Sequence, residues 1–171
     1  LAEIAAVPKQ IITPRHAKPV IGIVQDSCIG SYRLTQPNVQ FTRREFMNMM
    51  MWNKHFNGTL PTPVTKGRVE RFNGQQVISQ IIPAINMEMG NSRYSDEKVP
   101  ENFIKIKEGN VLQGVFDKDI FSKPSKGVIH TIFKDYGPRE TVHFLYCMQK
   151  TVEQFLVYNG VSVGSSDLIA D

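Results

Sequence analysis

The residues of this chain best suited to chemistry are two cysteines, Cys28 and Cys147, and four histidines, His16, His55, His130 and His143. A nucleophilic cysteine needs a base or a cationic cluster that lowers its thiol pKa. Neither cysteine has such a cluster beside it in sequence, so both read as packed thiols of a reducing compartment, with a disulfide left open. The histidines are scattered, and no Cys-x-x-Cys or closely spaced His pair is present. His143 and Cys147 stand one helical turn apart and would share a face, but two ligands in an apolar stripe do not make a metal site. The reading is therefore no catalytic residue and no metal-ligand set. Residues 160–164, Gly-Val-Ser-Val-Gly, have the spacing of a nucleophile elbow, which requires a strand before the serine and a helix after it. A long helix is expected before it instead.

Phosphate chemistry has a weaker signature. No Gly-rich loop ending in Gly-Lys-Ser/Thr is present. Lys118, Lys123 and Lys126 fall on one polar loop and could face a polyanion, although Asp117 and Asp119 cancel part of their field. Asp96 and Glu97 read as exposed charge. The net charge of +4 permits contact with nucleic acid without demanding it.

These side chains must be held by elements legible in the hydrophobic pattern. Hydrophobic residues make up 41% of 171, enough for a core in one domain or two small modules. No apolar run approaches membrane-spanning length, and the first residues lack the pattern of a secretory signal. Both ends read as those of a piece cut from a longer chain. Residues 1–7 read as the last turns of a helix stopped by Pro8, and 10–12 as a strand. Residues 19–24, Pro-Val-Ile-Gly-Ile-Val, read as a buried strand. A helix follows with Cys28, Ile29, Tyr32 and Leu34 on one side, and Asp26 or Ser27 as its N-cap. Gln25 and Asp26 thus form a structural turn.

Further on, residues 39–41 read as extended. Thr42 with Glu45 makes a capping box for a helix whose apolar face holds Phe46, Met49, Met50 and Trp52. Asn57-Gly58 is a turn, and residues 60–64 are extended because of Pro61 and Pro63. Asn73 and Gly74 open a helix carrying Val77, Ile78, Ile81 and Ile82, stopped by Pro83. Residues 84–89 read as a weak strand and 91–102 as an exposed loop. A β-hairpin turns at Glu108-Gly109-Asn110, and 117–126 form a second polar loop. A short helix spans 127–136. The longest runs from 139 to 159, with Val142, Leu145, Met148, Val152, Phe155 and Leu156 in register, widened by Phe144, Tyr146 and Tyr158, and with Gly160 as its stop. Asp167 could cap one more helix. The class is α+β, with mixed short strands and helices and a long C-terminal helix.

Several runs, in order, resemble one family. They are Leu1-Ala2-Glu3-Ile4, Val7-Pro8, KPVIGIVQD at 18–26 with Gly30 and Leu34-Thr35, Leu60-Pro61-Thr62-Pro63, GQQVIS at 74–79, Ile82-Pro83, GVFDK at 114–118, GVIH at 127–130, Gly137-Pro138 and NGVSVGSSD at 159–167. Together they look like the largest subunit of multi-subunit DNA-dependent RNA polymerases, the RNA polymerase II type above all. The resemblance covers nearly the whole chain.

That resemblance implies the pore module over residues 1–159, with the funnel starting in 160–171. It implies a place below the active centre, lining the channel by which nucleoside triphosphates arrive and a backtracked RNA 3′ end leaves. The parent subunit would be a nucleotidyltransferase acting in transcription. Its Mg²⁺ would sit on an aspartate loop upstream of Leu1, leaving this segment without a cofactor and inactive alone. Implied partners are the other polymerase subunits, especially the second-largest, the DNA template, the RNA transcript and a transcript-cleavage factor, with no membrane. The setting is intracellular: the nucleus for a cellular enzyme, the host cytoplasm or virion for a viral one. Lys118 matches a lysine of the family's path, whereas Asp119 replaces the second lysine of the RNA polymerase II pattern. Such departures, also at 47–51 and 91–102, fit a divergent member, such as one encoded by a large DNA virus. The other readings are a stand-alone RNA- or protein-binding module and a small thiol enzyme using Cys28 or Cys147.

Overall fold

A computed structural model describes residues 2–65, 68–90, 100–123 and 126–169. The chain is α+β. It begins with turns and a 3₁₀ segment, Val7–Lys9, in which Pro8 takes an early position. The helix expected over residues 1–7 is thus absent among the described residues. Its alanines are exposed or half-buried, so no packing supports a helix shorter than the ~12 residues that are stable alone.

Strands β1 (Ile12–Thr13) and β2 (Lys18–Pro19) pair antiparallel. The expected strand over 19–24 ends almost at once. Val20 N–H still donates to Ile11 O, at 2.8 Å, but the chain then leaves its partner. Ile23 is buried while Val20 and Val24 are exposed, and Gly22 lies against Ile129. The run is extended but lies on a helix rather than in a sheet, since a strand persists only where a neighbour receives its hydrogen bonds.

Helix α1 spans Gln25–Leu34. Its N-cap is Val24 with no side-chain cap bond, so neither Asp26 nor Ser27 caps it. Asp26 instead lies in the first turn, where a carboxylate favours the positive end of the dipole. Gln25 takes the left-handed region, φ 51°, a strained choice for a residue with a Cβ.

The second sheet pairs β3 (Gln40–Thr42) with β4 (Arg71–Asn73), and a helix grows from each strand. From β3 runs α2 (Arg43–Met50), with the expected box: Glu45 N–H donates to Thr42 Oγ1 and Thr42 N–H to Glu45 Oε2. From β4 runs α3 (Gly74–Ser79), closed by a second box between Asn73 and Gln76. Phe46, Met49 and Met50 are buried, whereas Trp52 follows the helix and is 41% exposed. Thr42→Ala removes the acceptor of the first box and is expected to cost about 1 kcal/mol in a urea melt. A change under a few tenths would mean that packing alone fixes this start.

The third sheet orders β5 (Met87–Gly90), β6 (Phe103–Lys107) and β7 (Asn110–Gln113), all antiparallel. The hairpin expected around Glu108-Gly109-Asn110 forms, with Glu108 at φ 50° and Gly109 at φ 77° as its turn and Asn110 already in β7. Residues 91–99 of the expected exposed loop lie outside the described residues, as do Asp96 and Glu97; its end, Pro100–Asn102, is a 3₁₀ turn.

The second polar loop holds an unforeseen helix, α4 (Lys118–Ser122), capped by Asp117, whose Oδ1 accepts from Ile120 N–H at 3.0 Å. Two buried side chains, Ile120 and Phe121, fold it down, with Phe121 5.6 Å from Phe116. Then follow α5 (Val128–Tyr136) and α6 (Pro138–Asn159). Gly137 at φ 84° turns the corner between them. Helix α6 is the axis of the molecule: Phe144, Cys147, Met148, Val152 and Phe155 are buried against α1, α2 and α5. Tyr146 and Tyr158 stay exposed and do not widen that stripe inward. Asp167 falls inside a last 3₁₀ turn, Ser165–Leu168, rather than before a helix.

Candidate functional site

Lys118 is exposed in the first turn of α4. The neighbouring strand and loop decide its direction. Gly114 ends β7 at φ 102°, and Phe116, fully buried, plugs the core two residues before the helix. The charges of Asp117, Lys118 and Asp119 all reach the thiol of Cys28, so the start of α4 lies beside α1. The lysine is therefore flanked by two carboxylates, as expected.

The other two lysines follow on the same stretch. Lys123 is half-buried and its Nζ donates to Gly90 O at 3.4 Å, holding the end of β5. Lys126 is exposed ahead of α5.

Gln25 and Asp26, expected as a structural turn, line a cleft of about 350 Å³ between residues 22–27 and Gln149, Glu153 and Leu156 of α6. The hydrogen bond from Lys150, at 2.7 Å, holds Glu153 below the usual carboxylate range, helped by Gln149 at 3.0 Å. This cleft presents side-chain amides, the carboxylate of Asp26 and the ion-paired Glu153. No histidine or cysteine is among its lining residues.

Of the two thiols, Cys147 has an imidazole beside it, with Sγ 3.5 Å from His143 Nε2. Burial raises the pKa of both Cys28 and Cys147, away from the thiolate. Cys147 is fully buried and donates to Trp52 O at 3.6 Å. Ser162 is exposed in an irregular stretch after α6, without a strand before it.

One constellation escaped the sequence reading. His55 and His143, far apart in sequence, meet edge to face with ring centroids 4.2 Å apart. Glu140 completes a set whose ligand atoms lie within 4.8 Å of one another. Burial, and then His55 beside it, holds His143 below the usual imidazole pKa. The one signal available was Glu140-x-x-His143, a spacing that puts two ligands on one helix face.

Three runs of the sequence meet in the core between these features. Gly74 lies directly against the Leu34 carbonyl. Gln75 Nε2 donates to Thr35 O at 2.8 Å and to Gly114 O at 3.2 Å. Thr35 Oγ1 accepts from Phe116 N–H at 2.9 Å. Residues 10–168 match the family model described as RNA polymerase Rpb1, domain 3. The chain belongs to this family. Two relatives, the DNA-directed RNA polymerase II subunits RPB1-A and RPB1-B of Trypanosoma brucei brucei, are each 31% identical to it over all 171 residues. The chain spans 10% of the length of each. In this Rpb1 domain 3, the runs Leu34-Thr35, 74–79 and 114–118 are one interlocked unit that ends on the exposed Lys118.

Proposed function

We propose that this domain is a segment of the largest subunit of an RNA polymerase II-type enzyme and serves transcription by walling the channel below the active centre. The family match over residues 10–168 carries this reading. Nucleoside triphosphates would arrive past Lys118, and a backtracked RNA 3′ end would leave the same way. Asp117 and Asp119 more than offset the charge of Lys118, so the lysine offers a single contact suited to passage rather than tight retention. Residues 1–159 would form the pore module and 160–171 the start of the funnel. Arg33 Nη1, donating to Gly160 O at 2.9 Å, would fasten that junction to α1.

The whole subunit would be a nucleotidyltransferase working with the second-largest subunit, DNA template, RNA and a transcript-cleavage factor. Its place would be the nucleus of a cell, or the host cytoplasm or virion for an enzyme encoded by a large DNA virus. Mg²⁺ would serve the reaction in the parent enzyme. The described residues do not fit that ion: their one cluster of three candidate ligands contains two imidazoles, whereas Mg²⁺ takes oxygen. Its ligands would lie upstream of Leu1, and no step is assigned to this domain.

The test places a photo-crosslinking amino acid at position 118 in the assembled polymerase and stalls it on 3′-end-labelled, backtracked RNA. The label is expected to transfer to this subunit. Transfer from extended but not from backtracked complexes, or none at all, would remove the channel assignment.

A further inference from the structure

The His55, Glu140 and His143 cluster lies apart from Lys118 and from the cleft at Gln25. We propose that it is a binding site for one divalent transition metal ion of the zinc class, held by two imidazoles and one carboxylate with solvent completing the shell.

Each ligand is delivered by a separate structural cause. Glu140 and His143 project from the first turns of α6, three residues apart, so one helix face carries both. Pro138 at the start of α6 and the fully buried Phe144 fix that face in rotation and height. His55 comes from the loop after α2. Asn53, 6% exposed, anchors that loop: its Nδ2 donates to Gln80 O, and its Oδ1 accepts from His55 N–H at 3.0 Å. The two rings therefore meet because both backbones are tied down. A hydrophobic core contact does not explain the pairing, since His55 is exposed and His143 and Glu140 are half-buried.

The donor set selects the ion. Two imidazoles and one carboxylate suit zinc and its neighbours and do not suit Mg²⁺ or Ca²⁺. Ligand atoms around a tetrahedral zinc stand about 3.4 Å apart. The present spread of up to 4.8 Å closes with small rotations of an exposed ring and a carboxylate. Cys147 Sγ is 3.5 Å from His143 Nε2 but bonds inward to Trp52 O, on the buried side of the ring. It stays outside the ligand set. A bound ion would staple the loop after α2 onto α6, adding to the His–His contact, the Cys147–Trp52 bond and the Lys150 ammonium over the Trp52 ring.

The experiment strips the purified protein with chelator and titrates it with Zn²⁺ by calorimetry, then with Co²⁺ as a visible probe. Saturable binding of one ion per chain is expected, with cobalt bands of four-coordinate intensity. Zinc at a hundredfold excess over Kd should raise Tm by ~5–10 °C. His55→Gln alters an exposed side chain, so its metal-free Tm should match the parent while its zinc affinity falls about tenfold or more. His143→Gln should lose affinity likewise. No saturable binding, binding indifferent to His55→Gln, or a thiolate-to-cobalt charge-transfer band would each overturn the assignment.

Discussion

Gly74→Ala is expected to destabilise the domain by about 3 kcal/mol or more, lowering Tm by roughly 6–12 °C. Gly74 opens α3 where that helix abuts the end of α1. A Cβ there would overlap the Leu34 carbonyl oxygen and sit 2.6 Å from the carbonyl carbon and 3.1 Å from Thr35 Cα. All three atoms are backbone, so no rotamer change relieves the overlap. Either α3 backs away, or Leu34 and Thr35 shift and break the Gln75 hydrogen bonds. Both Leu34 and Thr35 are fully buried, so either movement opens the core. Gly58 supplies the contrast. It has φ 84° but nothing within 4 Å of its added Cβ, so Gly58→Ala should cost only the ~1 kcal/mol of backbone strain. Chemical denaturation of both variants decides the matter. If Gly74→Ala melts within 1 kcal/mol of the parent, the tight helix contact is not a constraint on the fold. A drop in the expected range represents much of the 5–15 kcal/mol by which such domains are stable.

Thr35→Val should cost about 2 kcal/mol although it conserves shape. Thr35 Oγ1 donates to Ser31 O at 2.9 Å and accepts from Phe116 N–H at 2.9 Å, all in a buried setting. Valine leaves the Phe116 amide without its acceptor. The penalty for a stranded buried donor exceeds the modest net value of an ordinary hydrogen bond. Amide exchange at Phe116 should accelerate along with the loss of stability. Thr151 is the internal control. It is also fully buried on α6, and its Oγ1 makes no hydrogen bond among the described residues. Thr151→Val should therefore be neutral or stabilising, because nothing loses a partner. Equal losses from the two substitutions would mean that hydroxyl burial, rather than the bond to Phe116, sets the cost. Thr35→Val should also loosen Lys118, which is carried two residues beyond that bond.

What the sequence by itself determined is the chemistry that acts within a few residues. The Thr42–Glu45 box, the hairpin at Glu108-Gly109 and the stop of α6 at Gly160 all satisfy backbone groups locally, so residue type suffices to read them. The family was legible for a related reason: runs such as Leu34-Thr35, Gly74-Gln75 and 114–118 keep their order along the chain. Only the tertiary structure decided which of these runs touch. It turned the apolar stretch at 19–24 from a strand into a covering for α5, because the chain leaves β1 after Val20. It folded α4 out of an apparently polar loop, because Ile120 and Phe121 find the core. It joined His55 to His143 across 88 residues of chain (143 − 55). Contacts at that distance depend on the packing of several elements at once, and no local spacing records them.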